Sequence, residues 1–92
     1  MERKLPVEFG KTYTFQVPEG ARSVGMQGEK HLRRDSSPVV FLWVNVEAEW
    51  DAARLHTIVV ESVPAGFPCA REVFLGEFED VTGAKWDFYA SR

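Results

Sequence analysis

The residues best equipped for binding chemistry form a basic cluster in the first half of the chain. The stretch KHLRRDSSP places two arginines, a lysine and a histidine within five positions and ends in a proline, which predicts a polar loop. Guanidinium groups match the geometry of phosphate and carboxylate, so several of them in one loop could hold an anionic ligand. Glu29 and Asp35 leave a second interpretation open, a solvated loop whose charge they partly neutralise. The basic residues are Lys30, His31, Arg33 and Arg34.

Two tryptophans and one further arginine complete the candidate contact residues. Trp50 lies in the polar segment EWD, where an indole ring either caps the core or stacks on a base or a partner. Trp43 lies in an apolar, strand-like run, and Arg71 follows Cys69 by two positions. From these observations we predict the following ligand-binding residues: Lys30, His31, Arg33, Arg34, Trp43, Trp50 and Arg71.

Catalytic constellations are weak in this sequence. A nucleophile needs a base beside it, and the candidates for a small enzyme acting on a nucleotide or a peptide share no supporting spacing. Those candidates are Cys69, His56, Asp51 and Glu77. A lone cysteine in a loop is more often a packed residue than a reactive thiolate. We therefore predict that the protein is not an enzyme.

Metal and cofactor sites are also not expected. The nearest approach to a ligand cluster is the acidic run of Glu77, Glu79 and Asp80, whose simpler interpretation is the solvated side of a hairpin. Neither glycine motif that cradles phosphate, GxxxxGK[ST] or GxGxxG, occurs in the chain. We predict no metal and no cofactor.

Length, charge and cysteine content narrow the class of protein. A chain of 92 residues suits one domain, so we predict a single all-β domain over residues 1–92. The net charge of −3, divided as +2 over residues 1–43 and −5 over residues 44–92, argues against a nucleic-acid polymer as partner. The single cysteine excludes an internal disulfide and favours a reduced, intracellular setting. Because the sequence has no long apolar run and no signal-peptide pattern, we expect a soluble protein without a membrane partner.

Apolar and polar residues alternate along most of the chain, which predicts β-strands. KTYTFQV is one example, and REVFLGEFED and AKWDFYAS flank VTG as a hairpin. Pro6 predicts an edge strand, and Gly76 predicts a bulge. EWDAARL is the one stretch that could form a short helix, near residues 48–54. We predict an all-β fold, a small antiparallel sandwich or barrel-like meander of about six or seven strands.

The run VVFLWVNVEA is apolar on both of its faces. Positions 40, 42, 44 and 46 are valine or leucine, whereas Phe41 and Trp43 lie on the opposite side. Such a strand is either central in the fold or turns its second face towards another subunit. We therefore expect a homo-oligomer, whose subunit junctions could form a pocket too large for one small domain.

Several of these motifs together carry a family resemblance. The segments KLPVEFGKTYTFQVPEGARSVGMQ, VVFLWVNVE, VFLGEFED and KWDFYA resemble a family of uncharacterised small all-β proteins of bacteriophages and prophages, with its Val-Pro-x-Gly-Ala turn and Leu-Trp strand. The loop HLRRDSSP is longer than the family's turn, and the histidine of the family's TGH-type loop is missing from ESVPAGFPC. The resemblance implies a phage accessory protein in the cytoplasm of a bacterial host, with no established activity. The matching positions are Lys4, Val17, Pro18, Gly20, Ala21, Val24, Gln27, Leu42, Trp43, Leu75, Gly76, Phe78 and Phe88.

These observations predict a non-catalytic phage accessory protein that binds and thereby counters a host defence system. It would do so either by sequestering a small anionic nucleotide signal or by blocking a host protein. Its partners would be further copies of itself and that ligand or host protein. A structural accessory protein of the virion, such as a capsid decoration or a tail component, is the alternative.

Overall fold

The predicted alternation of side chains forms seven strands in the computed structural model, which describes residues 2–50 and 54–91. The all-β prediction is confirmed, and the strand count lies within the predicted range. The strands are β1 (Glu2–Val7), β2 (Thr12–Pro18), β3 (Arg22–Leu32), β4 (Pro38–Glu47), β5 (Leu55–Pro64), β6 (Val73–Glu79) and β7 (Lys85–Ala90).

The strands form two antiparallel sheets that pack face to face. The first sheet has the order β1-β4-β3, and the second has the order β2-β5-β7-β6. Of the two architectures left open by the sequence, this arrangement is the sandwich. Inward side chains from both sheets form one core, because alternate residues of each strand point to the same face. The fully buried core residues are Val7, Val17, Leu42, Val44, Val46, Ile58, Val60, Phe88 and Ala90.

Three local predictions are confirmed by the pairing. Pro6 lies in β1, an edge strand of the first sheet. Because this strand has a neighbour on one side only, the missing N–H of Pro6 costs the sheet no hydrogen bond. The register of β6 and β7 shifts between Phe74 and Gly76, and Gly76 has a φ of 140°, so the expected bulge is present. The hairpin of β6 and β7 also forms as expected.

The basic segment differs from the predicted loop. β3 and β4 remain paired out to Leu32 and Pro38, so Lys30 and His31 lie in a strand. Only residues 33–37 form the turn, in which the Arg33 N–H donates to the Ser37 carbonyl oxygen at 2.9 Å. The prediction of one long polar loop was wrong because continued ladder bonding outweighs the low strand propensity of charged residues.

The region expected to form a short helix falls partly on residues 51–53, which lie outside the described residues. Ala48 and Glu49 have no regular structure, and Trp50 lies in a turn. Among residues 2–50 and 54–91, no helix is long and apolar enough to cross a membrane.

One part of β4 has a neighbour on only one side. β1 ends at Val7, opposite Leu42, and the chain then turns at Gly10, whose φ is 72°. The Gly10 N–H donates to Ser62 Oγ at 2.7 Å, which directs the chain into the second sheet. Residues 38–41 of β4 therefore pair with β3 and have no strand on the β1 side. We call residues 38–41 the open edge.

Candidate functional site

The outer face of the first sheet carries two aromatic rings along β4, of which Phe41 is exposed and Trp43 is half-buried. Phe41 is 48% exposed, and its ring stacks on Trp43 with centroids 6.4 Å apart. His31 meets Phe41 edge-on at 5.6 Å, and Lys4 Nζ lies 5.4 Å from the Trp43 ring centroid. We call Lys4, His31, Phe41 and Trp43 the aromatic face. The predicted apolar character of both sides of β4 is confirmed, since Leu42 and its inward neighbours are buried while these rings face outward.

The tip of the β3–β4 hairpin carries positive charge that its own acidic residues do not neutralise. Glu29 Oε2 lies 3.1 Å from His31 Nε2, and Asp35 accepts the Ser37 N–H at 2.9 Å. That backbone hydrogen bond lowers the pKa of Asp35 and keeps its carboxylate in the turn. Among the described residues, no carboxylate forms an ion pair with the three remaining cations of the tip, which are Lys30, Arg33 and Arg34.

A groove beside the open edge brings two of the predicted residues together. Arg33 and Trp43 both line it, together with Phe41, Tyr13 and Glu8, and its volume is about 440 Å³. The Tyr13 hydroxyl and Lys11 Nζ donate to Glu8 Oε2 at 3.2 and 2.6 Å, and the bond from Lys11 is the main reason that the pKa of Glu8 is lowered. The groove therefore has an ionised but satisfied carboxylate at one end and a guanidinium without an ion-pair partner at the other.

The structure does not bring the other predicted residues to this groove. Trp50 packs against the core beyond the C-terminal end of β4, with the Arg3 guanidinium 4.4 Å from its ring centroid. Arg71 lies in the loop before β6, and its Nε donates to Glu61 Oε1 on β5 of the second sheet at 3.0 Å. The predicted contact set is thus divided among three places. Arg33, Trp43 and their neighbours at the hairpin form the only part of the set that shares a surface.

The cysteine candidate is held by the same carboxylate as Arg71. Cys69 Sγ donates to Glu61 Oε1 at 3.1 Å, and burial raises the pKa of the Cys69 thiol. His56 lies on β5 opposite Val17, and Glu77 lies 3.9 Å from Lys85 Nζ; neither forms a hydrogen bond with the Cys69 thiol. Asp51 lies outside the described residues. Within residues 2–50 and 54–91, no three His, Cys, Asp or Glu residues are grouped so as to hold a metal ion.

Asn45 is a polar residue that sequence reasoning missed. It is only 9% exposed, and its register opposite Lys4 and Gly25 places it on the outer face of the first sheet, two positions from Trp43. No hydrogen bond from the described residues reaches its buried Oδ1. An unsatisfied buried oxygen costs stability, so we expect Asn45 to lower the free energy of unfolding.

The site also includes three residues that were not among the predicted ligand-binding residues: Phe41, Tyr13 and Lys4. Phe41 shares strand parity with Trp43, so alternation along β4 could have identified it. Tyr13 and Lys4 come from other strands, and no local pattern signals their proximity. No protein-family model, no curated protein and no solved structure matches this chain. The side chains of the site can stack on flat groups, cover apolar surface and pair with anions.

Proposed function

We propose that the protein is a non-catalytic binding protein that covers a partner protein with its aromatic face and the cations of its hairpin tip. The observation that carries this proposal is the stack of the exposed Phe41 ring on the half-buried Trp43 ring beside Arg33, which has no ion-pair partner among the described residues. Aromatic and arginine side chains supply most of the binding free energy at protein interfaces. Exposed apolar patches rimmed by charge mark interaction surfaces.

The resemblance to phage proteins supports a bacterial host cell as the place where this protein binds its partner. In a bacterial cytoplasm, a small protein without catalytic machinery can counter a host defence protein by occupying its surface. The acidic or polar rim of such a target would meet the hairpin cations, which would also steer association.

The proposal can be tested by affinity capture from a bacterial lysate with matched variants. Phe41→Ser changes the aromatic face, and Phe74→Ser changes the outer face of the second sheet at a ring of similar exposure, 48% against 57%. We expect one protein to be retained stoichiometrically by the wild type and by Phe74→Ser, and to be lost with Phe41→Ser. Equal retention by both variants would show that the aromatic face is not the binding surface.

The groove also favours a second candidate, a small anionic ligand with a planar ring. Trp43 could stack on a base while Arg33 holds a phosphate. Arg33 is the one cation among the described residues that line the groove, which is why we rank this candidate lower. Calorimetric titration with cyclic and adenine-containing nucleotides tests it, and heat of binding that disappears in Arg33→Gln would favour the nucleotide over the protein partner.

A further inference from the structure

The backbone groups that face away from β3 at the open edge can be identified from the ladder. The Arg33 N–H donates to the Ser37 carbonyl oxygen, and hydrogen-bonded pairs in an antiparallel ladder recur every two residues. His31–Val39 and Glu29–Phe41 are therefore bonded pairs, so the N–H and C=O groups of positions 39 and 41 point towards β3. The N–H and C=O groups of Val40 point the other way, to the side that β1 leaves empty.

The open edge differs from the four edge strands of the sandwich. An exposed edge invites pairing with another chain unless a proline, a bulge or a charge prevents it. β1 and β2 contain Pro6 and Pro18, and β3 and β6 carry bulges next to Gly25 and Gly76. The open edge has only Pro38 at its outer end, followed by valine, valine and phenylalanine, which favour strand pairing.

Charge around the open edge selects the kind of chain that could pair there. Arg33 lines the groove at the outer end of the edge, and Lys30 lies on β3 directly opposite Val40. Neither forms an ion pair with a described carboxylate, whereas Glu8 at the inner end is already bound by Lys11 and Tyr13. An acidic side chain at the outer end would therefore be attracted by these cations.

We propose that the open edge accepts an extended, acidic peptide segment of the partner protein as an added strand of the first sheet. This inference rests on the proposed function and specifies how the partner is held. A segment of about four residues spans roughly 13 Å and fills the length of the open edge. Its backbone pairs with Val40, its outward side chains lie beside Phe41 and Trp43, and an acidic residue reaches Arg33. Such strand addition draws affinity from the backbone and selectivity from alternate side chains.

The test uses a blocked peptide and nuclear magnetic resonance of the full chain. The probe is acetyl-Glu-Val-Thr-Val-Glu-amide, whose glutamates at both ends serve either strand direction, and its control carries lysine in place of both glutamates. We expect the glutamate probe to shift the Val40 amide signal and to slow its hydrogen exchange, with a dissociation constant below about 2 mM. The lysine peptide should bind at least about tenfold more weakly.

Protein and probe variants separate backbone pairing from simple charge attraction. Val40→Pro removes the free N–H without breaking a bond to β3, and we expect it to weaken binding at least about fivefold. A probe that is N-methylated at threonine makes the same test without changing the protein. Arg33→Gln should weaken binding by about fivefold. Arg54→Gln, at an exposed arginine outside both the groove and the hairpin tip, should change it less than about twofold.

Three results would overturn strand addition. The first is a Val40 amide signal that does not change at about 5 mM probe. The second is equal affinity for the N-methylated and the unmodified probe. The third is slower hydrogen exchange of the Val40 amide as the protein concentration rises without probe, which would identify a second copy of the chain as the occupant. If Phe41→Ser abolishes partner capture while the probe leaves Val40 unprotected, strand addition fails and the proposed function stands. If Phe41→Ser leaves partner capture intact, the proposed function fails.

Discussion

Gly28 is the position where a single added methyl group tests how tightly the base of the β3–β4 hairpin packs on the second sheet. A Cβ atom at this position would lie 2.8 Å from Leu42 Cδ2 and 3.2 Å from Phe78 Cδ1. Gly28 does not have a positive φ, so its backbone conformation is one that alanine can adopt. Leu42 is only 2% exposed and is held in the core, so it cannot swing away freely.

The expected effect of Gly28→Ala is a loss of stability. Overpacking by a methyl group costs about 1–3 kcal/mol. Replacing glycine restricts the unfolded chain, which offsets about 0.4–1 kcal/mol of that cost. The mid-range values leave a net destabilisation of about 1.3 kcal/mol, which corresponds to a fall in Tm of about 5–10 °C for a chain of this size.

A double-mutant cycle, measured by chemical unfolding, tests whether the contact with Leu42 causes the destabilisation. Leu42→Val shortens the side chain and should cost about 1 kcal/mol alone. Because it also makes room for the new methyl group, Gly28→Ala/Leu42→Val should be no less stable than Leu42→Val, giving a coupling free energy of about 1–2 kcal/mol. Strict additivity, or a Gly28→Ala variant as stable as the wild type, would refute the packing argument.

Three further predictions address other parts of the molecule. Asn45→Leu should raise the free energy of unfolding by about 1–2 kcal/mol, since leucine has a similar shape and no unsatisfied oxygen; a decrease in urea unfolding experiments would contradict this. Asp80 accepts hydrogen bonds from Thr82 and Trp86 that lower its pKa below the usual 3.8, so its stabilisation is present at neutral pH and is lost as pH falls through the lowered pKa. Asp80→Asn should therefore have a lower Tm at neutral pH and a shallower acid decline. Iodoacetamide should alkylate Cys69 more slowly than a free thiol, and Glu61→Gln should accelerate the reaction because Glu61 helps to raise the thiol pKa; an unchanged rate in that variant would contradict the assignment.

Strand content and local irregularities could be predicted from the sequence because they are short-range properties. The alternation of Tyr13, Phe15 and Val17 with polar residues identifies β2, since side chains in a strand point to opposite faces in turn. Pro6 and Gly76 indicate an edge and a bulge through their own backbone chemistry. The opposite faces of β4 follow from the same parity rule.

The candidate site was predicted only in part because it depends on which strands become neighbours. Arg33 and Trp43 are ten positions apart in the chain, yet the hairpin and the end of β1 bring both to one groove with Tyr13 from the second sheet. Trp50 and Arg71 are of the same residue types, but Trp50 follows the C-terminal end of β4 and Arg71 lies in the loop before β6. Residue type alone carries no information about these distances.

The order of strands within each sheet depends on contacts between segments that are far apart in the chain. β1 pairs with β4 rather than with its sequence neighbour β2, and β7 lies between β5 and β6. Each strand pair is stabilised by side-chain contacts across the two strands, and these contacts depend on how the whole core packs. Val40 therefore has a free backbone side only because β1 ends at Val7, a fact of tertiary structure. The sequence specifies which residues can form strands through local periodicity, whereas the packing of two complete sheets decides which edges remain open.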